Sequence, residues 1–157
     1  MTNFLSQLEF DFTIKRLPNV TFLVQAVSLP GMSMGTTEVN TPFKPIMLHG
    51  DRLVYDELTV TLKVDEDMLA WTEISDWMKG LTTPESFDQY NNLKIGEGLY
   101  SDASIMIMSN VKNPNIEFLF EDMFPIALGP IQFDTRSSDL EYVTVDVTFK
   151  FDSMKKK

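Results

Sequence analysis

The stretch that decides the fold is LEYVTVDVTFKFD, which runs from Leu140 to Asp152. Its odd positions are apolar from Val143 to Phe151, and its even positions from Tyr142 to Asp152 are polar or amphipathic. Because successive side chains of a strand point to opposite faces, this alternation predicts one long strand with a dry face and a wet face. Its thirteen residues would span roughly 43 Å, well beyond the usual strand of about 5–6 residues. A strand this long indicates that something larger than one small domain uses it.

Other parts of the chain also predict strands, and turn residues separate them. Residues 57–65 alternate as cleanly as the closing stretch, whereas residues 20–29 are apolar on both faces and predict a strand covered on both sides. The Pro and Gly residues between Met123 and Pro130 predict a bent connection. The remaining predicted strands cover residues 8–14, 103–109, 116–120 and 131–133. The sequence therefore predicts a mainly β, antiparallel domain of six to eight strands.

The period changes after Asp65, where apolar residues begin to recur at steps of three and four. This spacing predicts one principal helix of about 12 residues, from near Asp67 to Gly80. The acidic residues 65–67 are placed to cap its first N–H groups and to favour the positive end of the helix dipole. Thr82 and Glu85 predict a capping box that opens a second, shorter helix. Packing of the principal helix in the core explains its two tryptophans, Trp71 and Trp77.

Residues 32–53 form the least regular segment, with two prolines, spaced apolar residues and no sustained period. Loops longer than about 12–15 residues are uncommon in compact domains and are usually functional. The segment is predicted to be an extended arm or hairpin that exposes Phe43, Ile46 and Met47. The alternative is a partly ordered surface loop.

Bulk composition bounds the function classes. The 157 residues suit one domain, 1–157, and the net charge of −10 argues against a protein that grips nucleic acid, because phosphate affinity needs clustered Lys and Arg. Ordinary solubility explains an acidic surface equally well. The lysines at 155–157 are predicted to be the solvated end of a basic tail, 153–157. No cysteine, secretory leader or apolar run long enough for a membrane anchor occurs, so synthesis in a reducing cytoplasm is expected.

No catalytic constellation stands out. His49 is the only histidine, so a multi-histidine metal site is not expected, and neither a nucleophile elbow nor a P-loop occurs. The 23 acidic residues produce chance carboxylate pairs anywhere, so they give a glycosidase-type site no anchor. The expectation is a protein that is not an enzyme and carries no cofactor or metal.

The order of these pieces resembles the tail tube proteins of contractile-tailed bacteriophages, which are related in fold to the tube protein of type VI secretion. The resemblance covers about residues 10–154. It is carried by FLVQAVSLPG at 22–31, HGDRLVYDELTVTLKVDE at 49–66, the helix with Trp71 and Trp77, and MFPIALGPIQFDTRSSDLEYVTVDVTFKF at 123–151. It implies a β-sandwich or barrel-like subunit with a flanking helix.

The resemblance also implies an assembly. Six subunits would form a ring, each would give four strands to a shared inner barrel, and rings would stack into a tube. A barrel of 24 strands about 4.8 Å apart and tilted about 40° has a backbone diameter of roughly 48 Å, which leaves a bore of roughly 35–40 Å for a DNA duplex. The implied partners are further copies of the chain, the tail sheath, baseplate and tail terminator proteins, a tape measure protein in the lumen, and DNA that passes without specific binding. The implied location is the virion tail.

Two sets of residues follow as expectations. The apolar positions of the closing strand should pack the core, while polar positions face the lumen and repel DNA; these lumen positions are Glu57, Thr59, Asp65, Thr144, Asp146, Thr148 and Asp152. The arm should touch the next subunit or ring through its exposed residues; these are Thr41, Phe43, Lys44, Ile46, Met47 and Leu48. Four alternatives remain: a baseplate or neck adaptor of the same fold, a secretion tube protein, a monomeric β-barrel that binds an apolar ligand, and a hydrolase with an undisplayed carboxylate site.

Overall fold

The computed structural model describes residues 3–95, 98–136 and 138–157. Its strands are β1 (Phe10–Ile14), β2 (Val24–Ser28), β3 (Met32–Val39), β4 (Ile46–Tyr55), β5 (Leu58–Lys63), β6 (Ser101–Met108), β7 (Pro114–Leu128), β8 (Thr144–Lys150) and β9 (Ser153–Lys156). Its helices are α1 (Leu69–Thr82), α2 (Phe87–Ile95) and a 3₁₀ helix (Pro18–Phe22). All strand pairings between described residues are antiparallel. The predicted mainly β, antiparallel fold with one principal helix is therefore confirmed.

Two halves of one sheet share β7. The strand order is β1-β6-β7-β8-β5-β2, with β9 beside β7, and β3 and β4 form a separate hairpin. Residues 114–123 of β7 pair with β6 and β9, which with β1 form the β6 half. Residues 124–128 pair with β8, which with β5 and β2 forms the β8 half. The backbone turns from one half to the other near Asp122, which has a positive φ of 54°. Among the described residues β1 and β2 do not pair, so the sheet stays open.

The core lies between the two halves of the sheet and is closed by α1. The β8 half supplies Leu58, Val60, Leu62, Val145, Val147 and Phe149, the β6 half supplies Phe12, Ile14, Ala103, Ile105, Phe120 and Met123, and α1 supplies Ala70, Ile74 and Trp77. The indole N–H of Trp77 donates to the carbonyl of Leu99 at 2.9 Å. Burial of these side chains is the main favourable term for the fold, at about 25 cal/mol per Å² of apolar surface.

The predicted thirteen-residue closing strand is wrong in its length. The structure has β8 from Thr144 to Lys150, a bend, and then β9. The ladder to β5 stops at the pair Lys63–Thr144, because β5 itself ends there before α1. At the other end, the Asp152 N–H donates to the carbonyl of Glu121 at 3.0 Å, so the chain has already crossed to the β6 half. The alternation correctly placed the β8 core residues, but Val143 is only half-buried and lies before the strand.

Three further strand predictions also need correction, the first being residues 131–133, which form no strand. Residues 20–29 are not one strand, because Pro18 starts a 3₁₀ helix through Phe22, whose side chain is exposed, and the strand covers only Val24–Ser28. The predicted bent connection after Met123 is instead the second part of β7, where a register shift between Pro125 and Ala127 accommodates the proline. Proline at a strand irregularity removes a donor that the ladder does not need there.

The principal helix lies two residues later than predicted, at Leu69–Thr82. Asp65 does contribute to its start, since its carboxylate accepts the Leu69 N–H at 3.1 Å. The capping box predicted for Thr82 and Glu85 is wrong, because Thr82 still belongs to α1 and its hydroxyl donates to the carbonyl of Met78. The Glu85 N–H donates instead to the side chain of Gln89 at 2.8 Å.

The basic tail is not a merely solvated end. Residues 153–156 form β9 on the outer side of β7, and the ammonium of Lys155 donates to the Glu121 carboxylate at 2.9 Å. This hydrogen bond, together with one from the Ser153 hydroxyl, lowers the pKa of Glu121, and the same contact raises the pKa of Lys155. The tail therefore becomes the edge strand of the β6 half, where lysines discourage pairing with other strands.

Candidate functional site

A polar face covers the side of the β8 half that points away from the core. The register places Thr59 opposite Thr148, Thr61 opposite Asp146 and Lys63 opposite Thr144. On the flanks, Ser28 and Ala26 of β2 pair with Thr59 and Thr61, and Ala127 of β7 pairs with Thr148. These positions alternate with the buried residues of the same strands, so they share one face. We call this surface the four-strand face: Ala26, Ser28, Thr59, Thr61, Lys63, Ala127, Thr144, Asp146, Thr148 and Lys150.

The charged groups of the four-strand face have neighbours on the face. The Thr61 hydroxyl donates to the Asp146 carboxylate at 2.7 Å. The Lys150 ammonium lies 3.9 Å from a carboxylate oxygen of Glu57, which precedes β5. The Lys63 ammonium lies 5.2 Å from the centre of the Tyr142 ring, within the range of a cation–π contact. Apart from these groups, hydroxyl and methyl side chains form the surface.

The predicted lumen positions divide into two groups. Thr59, Thr144, Asp146 and Thr148 lie together on the four-strand face, and Glu57 reaches it through its contact with Lys150. Asp65 and Asp152 do not join them, because each lies beyond one end of the strands. Asp65 follows β5 and holds the start of α1, while Asp152 follows β8 at the opposite end of the sheet.

Lys63 and Lys150 are the residues that the prediction left out. Both occupy the polar positions of alternating strands, at the same period that selected Thr59 and Asp146. The alternation of β5 and β8 therefore indicates both lysines, whereas the negative net charge of the chain gives no sign of them. With the lysines included, the face and its neighbour Glu57 carry two ammonium and two carboxylate groups.

The predicted arm is a β-hairpin of β3 and β4, which project from the body. All residues of β3 are exposed, and β4 exposes all but Gly50 and Tyr55. A tight turn joins the strands, in which the Thr41 hydroxyl accepts the N–H of Lys44 at 3.2 Å. Phe43, in this turn, is 97% exposed. The predicted arm residues Ile46, Met47 and Leu48 are exposed on β4. Further exposed apolar residues of the hairpin are Met32, Met34 and Val39 on β3, and Leu53 and Val54 on β4.

The hairpin presents apolar side chains on both of its faces. Val39 pairs with Ile46 in the same register in which Glu38 pairs with Met47, so neighbouring pairs point to opposite faces. A monomer gains nothing from exposing these side chains, since apolar surface is stabilised by burial. The structure thus brings the predicted arm residues together as a two-sided apolar surface.

Contacts at the root of the hairpin close its two ends and join it to the body, and a close approach of its strands shapes its middle. At its root the Asp56 N–H donates to the carbonyl of Gly31 at 2.9 Å, and the ring of Tyr55 lies 5.5 Å from that of Phe151. Midway, at the register shift between Met34 and Thr36, the paired strands lie so close that a Cβ at Gly50 would be 2.6 Å from the carbonyl oxygen of Gly35. Only glycine allows this close approach at position 50.

Little in the described part of the chain suggests chemistry. No group of three or more His, Asp or Glu side chains there could hold a metal ion. The ring of His49 is exposed on β4, and its Nδ1 lies 3.4 Å from the carbonyl oxygen of Gly50. Among the helices described, none is both long and apolar enough to cross a bilayer. A surface pocket lies between α1, α2 and β7 and is lined by Met78, Leu81, Tyr90 and Phe124 among others.

Comparison with known proteins gives a family match. The family model described as "Phage tail tube protein" matches residues 2–156. A search of curated protein sequences finds no match.

Solved structures share the fold at low sequence identity. One is a chain in the baseplate of the anti-feeding prophage, with a TM-score of 0.72 and 10% identity over 100% of this chain and 97% of that chain. A second belongs to the sheath-tube complex of an extracellular contractile injection system, with a TM-score of 0.64 and 15% identity over 98% and 90% of the two chains. A third is Hcp1 from Flavobacterium johnsoniae, with a TM-score of 0.51 and 15% identity over 98% and 94%.

Proposed function

The chain belongs to the phage tail tube protein family, and from that premise we propose that it polymerises as stacked hexameric rings into the inner tube of a contractile tail. Each subunit contributes its β8 half to a continuous inner barrel, with the four-strand face toward the bore. The tube is a structural conduit through which DNA leaves the virion. Its other partners are the tail sheath, the baseplate and terminator proteins at its ends, and a tape measure protein in the lumen.

The observation that carries this proposal is the pair of unpaired edges on the β8 half. Within the described subunit, β2 pairs only with β5, and residues 124–128 of β7 pair only with β8. These two edges lie on opposite sides of a sheet whose outer face is polar. An open edge is a template for pairing with another chain, so the β2 edge of one copy can pair with the β7 edge of the next. Repetition around an axis closes the ring and removes the open edges of the β8 halves.

The hairpin is the second element of the proposed assembly. Its two apolar faces become buried only when neighbouring copies cover them, so the hairpin is proposed to contact the next subunit or ring. Residues 41–48, at the end farthest from the body, are placed to make the most distant of these contacts. The β8 half is thus proposed to form the continuous barrel, and the hairpin to supply contacts without which neighbouring subunits and rings do not stay together.

The charge of the chain suits a conduit that does not hold DNA. Six copies at −10 each give a ring of about −60, and such a surface does not attract phosphates. Tight binding of phosphates needs clustered Lys and Arg. On the four-strand face the two lysines lie apart, each beside a carboxylate or an aromatic ring.

Replacement of Phe43 and Ile46 by Asp tests the proposal. The purified unchanged protein should form hollow rods or six-fold rings in negative-stain images, and F43D/I46D should yield folded monomers without rods, because the charges cannot be buried between copies. The matched control is F87D/I95D, which places the same charges at α2 side chains that are 77% and 82% exposed. The control should form normal rods. Rods of normal length from F43D/I46D would contradict the role of the hairpin.

Imaging also separates the alternative functions. An 18.0 kDa monomer that is insensitive to concentration would favour a ligand-binding β-barrel protein. The copy number in a purified particle separates a tube from an adaptor of the same fold, since a tube needs many rings and a baseplate or neck adaptor needs only one or two.

A further inference from the structure

We infer that the wall of the conduit is charge-neutral, because Lys63 and Lys150 balance Asp146 and Glu57, so that DNA is neither repelled nor held there. The inference rests on the proposed function, since it takes the four-strand face as the wall of the bore. It assigns Lys63 and Lys150 the role of setting the electrostatic potential of the lining, and it replaces the expected acidic wall.

The charged groups of the β8 half are few and balanced. Strand β2 and residues 124–128 of β7 carry none, β5 carries Lys63, and β8 carries Asp146 and Lys150. Glu57 adds a second carboxylate beside Lys150. The acidic surplus of the chain, −10 in total, therefore lies outside this surface. Asp65 and Asp152, which were expected in the lining, lie beyond its two ends.

The positive and negative groups are close enough for their fields to cancel. Lys150 and Glu57 are 3.9 Å apart. Lys63 is the diagonal neighbour of Asp146 across the β5–β8 ladder, so the two positions lie about 7–8 Å apart on the strands, and the Lys63 ammonium lies beside the ring of Tyr142. Both separations lie within the Debye length of about 8–10 Å at ordinary salt, so a passing phosphate meets both signs together. The remaining surface consists of Thr, Ser and Ala side chains, which offer phosphates no fixed cation.

Easy passage then has a different cause from electrostatic repulsion. An unopposed ring of Asp146 carboxylates would repel DNA at the wall and would concentrate cations in the bore. A balanced wall does neither, and it offers no row of cations to which DNA could bind. The lysines thus set the electrostatic potential of the conduit wall, because their removal would turn a neutral wall into an acidic one.

Charged thiol reagents can measure the potential at the wall. The chain has no cysteine, so T148C introduces a single thiol at the centre of the four-strand face, between Asp146 and Lys150 along β8. Assembled rods of T148C are treated with an anionic and a cationic methanethiosulfonate, and the ratio of rates is divided by the ratio for a small free thiol. We expect a normalised ratio of about one, within roughly threefold, because a neutral wall has no preference for either sign.

The double variant K63Q/K150Q on the T148C background supplies the comparison. With both lysines neutral, the carboxylates remain, and the ratio should shift by roughly tenfold or more toward the cationic reagent, as expected for a potential of several kT. Both substitutions are at solvent-facing positions, and rod formation confirms that the subunit still folds. A tenfold preference for the cation in T148C itself, or no shift in the double variant, would overturn the inference.

A bulky maleimide, carried by a particle about 60 Å across and therefore wider than the bore of roughly 35–40 Å, separates failure of the inference from failure of the proposed function. If the four-strand face lines the bore, the bulky reagent should label T148C in monomers but not in rods, because it does not enter the lumen. Equal labelling in rods would show that this face lies outside, which would overturn the proposed placement together with the inference. Protection from the bulky reagent with a strongly cation-selective ratio would overturn the inference alone.

Discussion

The four-strand face and the hairpin are both built from antiparallel strands, yet they differ in where their apolar side chains are buried. In β8 the apolar set, with Phe149 at its end, is buried against the core of its own subunit. In β3 and β4 apolar side chains of similar size, with Phe43 between the strands, remain exposed on both faces. The first pattern stabilises the fold of one chain, whereas the side chains of the second pattern are buried only in the proposed assembly.

This difference separates the energy of folding from the energy of assembly. Both strands of the hairpin are exposed along nearly their whole length, and the described contact of Tyr55 with Phe151 lies at its root, so changes along the hairpin should hardly alter the stability of a monomer. Changes in the β8 half should act on the monomer directly. The largest and the intermediate of the expected effects test this separation. The smallest concerns β9, at the edge of the β6 half, which belongs to neither region.

The same substitution at Phe149 and at Phe43 should have the most unequal effects. Phe149 is fully buried, so F149A should lower the free energy of unfolding by about 3–5 kcal/mol. Phe43 is almost fully exposed, and F43A should change it by less than about 0.5 kcal/mol. Urea unfolding in the monomeric F43D/I46D background measures the first, and unfolding at a concentration too low for assembly measures the second. Similar losses at both positions would remove the separation of folding from assembly.

A pair of glycines gives an intermediate effect within the hairpin. In G50A the new Cβ would meet the Gly35 carbonyl oxygen at 2.6 Å, so the strands must shift apart, whereas a Cβ at Gly35 meets nothing within 4 Å. We expect G50A to slow or shorten rod growth and G35A to leave it close to normal. Neither should change monomer stability by more than about 1–2 kcal/mol, because strain in a projecting hairpin is released locally. Equal rod growth in G50A and G35A would show that the close approach of the two strands at Gly50 does not matter for assembly.

The smallest effect belongs to the contact of Lys155 with Glu121. The pKa of Glu121 is lowered in the folded chain by the hydrogen bond from Lys155, so this contribution is fully present above the unfolded pKa and is lost as the pH falls through the folded value. Acid should therefore loosen β9 as the pH falls through the lowered pKa of Glu121. An NMR titration of the Glu121 carboxyl should show the lowered pKa, and K155M should return it toward its usual value. An unchanged pKa in K155M would contradict the assigned cause.

The period of the strands made much of the β8 half predictable. Val145, Val147 and Phe149 were placed in the core by alternation alone, and the structure confirms it. The same alternation fixed the face of Thr59 and Asp146. Strand ends were not predictable, because the length of β8 is set by its partner β5 and by the crossing at Asp152 to the β6 half. Such limits arise from pairing over long sequence separations.

Other features were invisible or were set aside. No local pattern indicates that β7 continues through Pro125, since a proline normally argues against a strand and only the register shift beside it makes room. The arm was recognised from its irregular composition, but its two-sided apolar character appears only with the register of β3 on β4. The balance of charge on the four-strand face was readable at Lys63 and Lys150, and the net charge of the whole chain obscured it.

The position of β8 also has a consequence for the timing of biosynthesis. β8 fills the gap between β5 and β7, and its pairing joins residues such as Thr61 and Asp146 that are 85 positions apart. A nascent chain that has not yet been translated past Lys150 therefore cannot complete the β8 half. Until then the two edges that are proposed to pair with other copies are not held in one sheet, so unfinished chains cannot form the proposed ring. The strand thus makes the proposed polymerisation a property of the completed subunit.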